Sequence, residues 1–140
     1  MTNITKLTIK RSSGYCGIDD AFNEKLVLTP ASISYTYLPL YESDIHLPKK
    51  WLYQTNSSLF HATFELVAKR IQKLKTEPAR ERTDVETIDI TITYIDKSRK
   101  HIRHLCTSDQ LAECIIIIKK LIPNSEMMPE ILGINTENDS

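Results

Sequence analysis

The sequence predicts an α+β protein. We expect a two-layer sandwich: a mainly antiparallel sheet of about six strands with two helices on one face, in the order β-β-β-β-α-β-β-α. Three observations predict this. Several short segments alternate apolar and polar residues, the period of a half-buried strand. Two longer segments place apolar residues three and four apart, the single stripe of an amphipathic helix. The links between successive strands are of hairpin length, which implies antiparallel pairing.

Lys6-Leu-Thr-Ile-Lys10 alternates cleanly and forms the first strand. Lys25-Leu-Val-Leu-Thr29 and Ser32-Ile-Ser-Tyr-Thr-Tyr37 form a hairpin about Pro30-Ala31, because proline presets φ for the first central turn position. Ile33, Tyr35 and Tyr37 share one face of that strand, and Ser32, Ser34 and Thr36 the other. Residues 38–48 contain Pro39 and Pro48 and read as a loop. Trp51-Leu-Tyr-Gln-Thr55 is a short aromatic strand, after which Asn56-Ser57-Ser58 offers helix N-caps. Phe60, Phe64, Val67, Ile71 and Leu74 then mark one buried stripe, with Lys69, Arg70 and Lys73 outside it.

The polar connector from Thr76 to Glu86, with Pro78, leads into Thr87-Ile-Asp-Ile-Thr-Ile-Thr-Tyr94, the clearest strand of the chain. Asp96-Lys97-Ser98 turns it into a strand over residues 100–106. Thr107 and Gln110 fit a capping box, and Leu111, Cys114, Ile115, Ile118 and Leu121 or Ile122 supply a second stripe, stopped by Pro123. The run Ile115–Ile118 goes round a full turn, so Ile116 or Ile117 lies off the stripe: the helix is deeply buried or meets another subunit. Met127 to Leu132 is a candidate to pack back onto the body. We expect one domain over residues 1–133 and a disordered tail over 134–140.

Lys+Arg and Asp+Glu balance at 18 each, so no general positive field attracts nucleic acid, and nothing opposes self-association. The three cysteines are odd in number and lack a CxxC spacing, which argues against a disulfide framework. The N-terminus has no apolar leader, and no apolar run approaches a membrane span. A cytoplasmic protein without membrane contact is the expectation.

Only three glycines occur in 140 residues, and Gly14 and Gly17 bracket Cys16. The preferred reading is a turn or bulge with Cys16 as a small buried filler. The competing reading makes Cys16 a reactive thiol near Arg11, but no histidine lies close in sequence to serve as its base. A phosphate loop would need a following lysine and Ser/Thr that are absent here. His101, His104 and Cys106 approach a metal pattern, yet a zinc ion would need further ligands such as Cys16 or His61; no metal or cofactor is expected. Lys100 and Arg103 lead into the Thr107 cap, where a helix N-terminus beside cations could take an anion. Tyr15, Tyr35, Tyr37, Tyr41, Trp51 and Tyr53 are many aromatics for this half of the chain; about half are expected in the core, and several exposed on one surface would mark an interaction patch.

Arg11-x-x-Gly14-x-Cys16-Gly17, the strand pair ending near Ser34-Tyr35, and the Trp51 strand with its helix together resemble small uncharacterised bacterial α+β domains. The resemblance spans the chain to about Pro123 and implies no activity, cofactor or catalytic residue. The functional expectation is a protein-interaction or self-associating module without catalysis, with a homodimer as one form. The alternatives are a thiol-dependent enzyme or redox sensor using Cys16, and an anion- or phosphate-binding module at Lys100, Arg103 and Thr107, with Arg11, Gly14, Cys16 and Gly17 as further candidate ligand-binding residues.

Overall fold

A computed structural model describes residues 3–12, 22–39, 48–74, 87–105, 112–123 and 129, with the backbone alone at residues 12, 87, 103–105 and 112. The described elements are β1 (Ile4–Ser12), β2 (Phe22–Thr29), β3 (Ser32–Pro39), β4 (Lys49–Gln54), α1 (Ser58–Ile71), β5 (Thr87–Tyr94), β6 (Arg99–Leu105) and α2 (Ala112–Lys119). The strands form a single antiparallel sheet in the order β4-β3-β2-β1-β5-β6. The first four strands meander outward from β1, and β5 returns to the free side of β1, so β1 and β2 are the two central strands.

Alternation along each strand divides the sheet into two faces. On one face the pairing register lines up Ile92, Leu7, Leu28, Ile33 and Tyr53 in one row across the strands. A second row holds Ile102, Ile90, Ile9, Leu26, Tyr35 and Trp51. Most of these side chains are fully buried and join one hydrophobic cluster with Phe60, Phe64, Val67 and Ile71 of α1 and with Cys114, Ile115 and Ile118 of α2. Each buried Leu, Ile or Phe contributes roughly 1.5–3 kcal/mol by leaving water, so this cluster supplies the main driving force of the fold.

Both helices follow the local rules. Ser57 caps α1 by accepting the Phe60 amide at 3.3 Å, and Lys69 and Arg70 sit favourably in its last turn. Arg70, at the end of α1, pairs with Glu113, at the start of α2, while Ser57 and Phe60 lie beside Lys120 and Leu121. The two helices are therefore antiparallel neighbours. On α2 it is Ile116 that leaves the stripe, at 50 % exposure, whereas Ile117 is buried. The 29–32 hairpin closes with a hydrogen bond between the Thr29 and Ser32 hydroxyls, and the turn after β5 places Lys97 at φ 71°. Pro129 is buried.

Most strands run past their sequence-expected limits, and β1 already begins at Ile4 and β6 at Arg99. β1 continues through Arg11 and Ser12, β2 begins at Phe22, β3 runs on to Pro39, and β4 begins at Lys49. Backbone pairing with a neighbouring strand carries these residues into the sheet although their apolar pattern is weak. Pro39 ends its strand past the last residue paired with β4, where the strand has a neighbour on one side only. The readings of residues 13–21, of the capping box at Thr107, and of the tail over 134–140 lie outside the described residues.

Candidate protein-binding face

The third row on the core side of the sheet is not apolar. There the register sets Ile88, Arg11, Glu24, Tyr37 and Lys49 side by side. Arg11 Nε donates to Glu24 Oε1 at 2.7 Å, and the two side chains are 6 % and 1 % exposed. The Tyr35 hydroxyl donates to the other carboxylate oxygen of Glu24. The Arg11 guanidinium lies 4.6 Å from the centre of the Phe22 ring, which stacks in turn on Tyr37 at 5.5 Å. The carboxylate is thus satisfied on both oxygens, and the cation has both an anion and a π-face. Among the described residues, no buried side-chain polar atom lacks a partner. This cluster ties β1, β2 and β3 together and reads as a structural lock for that part of the core.

The opposite face of the same strands carries the exposed side chains, around a buried Thr8. The row directly behind Arg11 and Glu24 places Asp89, Lys10, Lys25, Thr36 and Lys50 side by side. Lys6 and Arg99 stand on the same face farther along, with Thr93 between them. All five cations are exposed. Among the described residues, no ion pair engages Lys6, Lys10, Lys25, Lys50 or Arg99. Asp89 is the single acid among the described side chains of this face. Ser34, Thr36, Thr91 and Thr93 fill the gaps, and Leu38 and Leu52 project from it at 54 % and 60 % exposure. Lys10 stands between two shallow depressions. One, of about 290 Å³, is lined by Asn23, Lys25, Thr36 and Leu38. The other, of about 210 Å³, is lined by Asp89, Thr91 and His101.

Charge on the outer strands has an ordinary explanation. Lysine and arginine on β4 and β6 discourage edge-to-edge pairing with another sheet. That explanation does not reach Lys6, Lys10 and Lys25, which stand on the two central strands. Lys10 and Lys25 are direct cross-strand partners, and like charges so placed repel.

The sequence-predicted residues are distributed differently. Arg11 is in β1 and engaged by Glu24, whereas Gly14, Cys16 and Gly17 lie outside the described residues. Lys100 is on the core side of edge strand β6, where its Nζ donates to the Gln72 carbonyl at 3.3 Å. The backbone of Arg103 belongs to β6, while its side chain and Thr107 lie outside the described residues. His101 is on the solvent face, sharing a hydrogen bond with Thr91, and His61 is on the exposed side of α1 beside Glu65. Among the described residues, no three His, Cys, Asp or Glu side chains converge as metal ligands. Cys114 is buried in the core, and burial pushes its thiol up to about 11, which makes it a poor nucleophile near neutral pH.

Of the aromatics singled out by sequence, Tyr35, Tyr37, Trp51 and Tyr53 all turn to the core side, joined by Phe22. The sequence reading overlooked Lys10, Lys25 and Lys50, together with Glu24. Their parity within each strand was legible, but not which strands would lie adjacent. No helix among the described residues is long and apolar enough to cross a membrane. Comparison with known protein families and with curated proteins finds no match for this chain.

Proposed function

We propose that this chain is a cytoplasmic, non-catalytic module that binds protein, either a second copy of itself or another partner. In this reading both helices cover one face of the sheet and leave the other as the working surface. The observation that carries it is the exposed face built on β1, β2, β3 and β4, where Leu38 and Leu52 project among cations that no ion pair engages among the described residues. Exposed aliphatic side chains set among cations give a partner apolar contacts flanked by polar ones, the make-up of a protein interface with a polar rim. Ser and Thr between them offer hydrogen bonds to a partner that lies flat on the strands. The arrangement at Arg11, Glu24 and Tyr35 supports a rigid frame behind that surface.

The test is site-specific photo-crosslinking in the native cell. The substitution Leu52→p-benzoylphenylalanine puts the probe on the solvent face, and Leu59→p-benzoylphenylalanine puts it on exposed α1 as a control. A discrete protein adduct at position 52 and none at 59 is expected. An adduct of twice the chain mass identifies a second copy, and any other discrete mass identifies a different partner. Failure to form an adduct at 52, or identical adducts at both positions, overturns the reading.

A further inference from the structure

We propose that the partner of the solvent-facing sheet is an acidic protein segment whose carboxylates seat on Lys10, Lys25 and Lys50. The inference rests on the reading of this face as a binding surface and specifies what it binds. Its basis is charge complementarity, with Lys10 and Lys25 at central positions where guarding a sheet edge does not explain the charge. Lys10 and Lys25 face each other across the two central strands, so neither guards an edge and each raises the energy of the other. No described ion pair engages either one; Asp89 stands beside Lys10 on its other side, Lys25 has only Lys10 and Thr36 as neighbours in the row, and Lys50 lies beyond Thr36. A partner's carboxylates supply the missing anions.

The spacing suits such a segment. Directly opposed residues on neighbouring strands lie about 5 Å apart, and residues three or four apart on a helix are separated by about 5–6 Å. Glutamates repeating along one helix face can therefore meet successive lysines of this row. The shallow depressions on either side of Lys10 admit the stems of those side chains. Lysine also fits the task. Its ammonium is a compact point charge with three rotatable donors, able to meet separate carboxylates one by one.

Two other polyanions fit this face less well. Single-stranded nucleic acid gains affinity by stacking bases on aromatic rings, and Tyr35, Tyr37, Trp51 and Phe22 all turn to the other side of the sheet. An anionic membrane asks for a continuous apolar surface to insert, whereas Leu38 and Leu52 are separated by the Thr36 and Lys50 row.

The experiment measures binding of the purified full chain to a helical peptide with glutamates at every third and fourth position. Its glutamine counterpart, a deoxythymidine oligonucleotide and phosphatidylserine vesicles serve as comparisons. The glutamate peptide is expected to bind, more weakly as salt rises, and the glutamine peptide not to bind. Lys25→Glu combined with Lys50→Glu should weaken binding at least about tenfold, whereas Lys69→Glu with Lys73→Glu on α1 should change it less than about twofold. Lys25→Glu places opposite charges across from each other at Lys10, so the variant should fold, and its thermal midpoint confirms that it does. Equal weakening by the α1 variant, absence of binding to the glutamate peptide, or tighter binding to the oligonucleotide or the vesicles overturns the inference. If that happens while the crosslink at position 52 persists, the acidic partner is wrong and the binding face stands; if the crosslink is also absent, both fall.

Discussion

The two faces of β1 and β2 treat charge in opposite ways. Arg11 and Glu24 are neighbours in sequence of Lys10 and Lys25, and the register pairs Arg11 with Glu24 just as it pairs Lys10 with Lys25. On the core side the pair is of opposite sign, and its groups are held by a hydrogen bond from Tyr35 and by the ring of Phe22. On the solvent side the pair is of like sign and no described ion pair relieves it. The physics behind the contrast is dielectric. A buried charge must be compensated within the fold or it destabilises it by several kcal/mol, whereas water tolerates a repelling pair at a fraction of that. An uncompensated charge therefore survives only where solvent reaches it, and that is also where a partner can reach it.

The largest effect should come from breaking the buried pair. Glu24→Ala removes the buried carboxylate that accepts from Arg11 Nε and from the Tyr35 hydroxyl, and chemical denaturation should show a loss of about 3–5 kcal/mol. Replacing both partners by apolar residues, Arg11→Met with Glu24→Leu, should recover most of that loss, because no charge is then left to compensate. If the double variant is no better than Glu24→Ala, the cluster holds the chain by more than local electrostatics.

A smaller loss is expected from Tyr35→Phe. The ring remains packed near Trp51 while one oxygen of Glu24 loses its donor, and hydrogen bonds to charged groups are worth about 1.5–3 kcal/mol. A loss near zero would show that another group takes over that oxygen. The smallest change has the opposite sign. Lys25→Glu turns the repelling pair on the solvent face into an attractive one, and thermal unfolding should show a gain of roughly 0.2–1 kcal/mol, diminished by added salt. A loss of stability would mean that Lys25 is compensated within the fold after all, and the contrast between the faces would disappear.

Much of this architecture was legible locally. The alternation in Thr87-Ile-Asp-Ile-Thr-Ile-Thr-Tyr94 put Ile88, Ile90 and Ile92 on one face, and the structure buries all three. The spacing of Phe60, Phe64, Val67 and Ile71 marked the buried stripe of α1, and Ser57 caps it from the Asn56-Ser57-Ser58 run. The limits of β1 and β2 were less legible. Arg11 carries no apolar signal, and only its pairing with Glu24 shows why a charged residue continues a core-facing pattern.

Sequence alone thus determined which residues share a face of each strand or helix, because side-chain direction follows the backbone period of the residue's own segment. It did not determine which segments lie adjacent. Arg11 and Glu24 are 13 positions apart, and their contact exists because β1 pairs with β2 in one register; a shift by one residue would turn every side chain to the other face. The same register places Lys10 beside Lys25, and the strand order places both at the centre of the sheet instead of at its edge. Those are decisions of long-range pairing, made by the burial of the apolar face as a whole, and the solvent-facing row of lysines is their consequence.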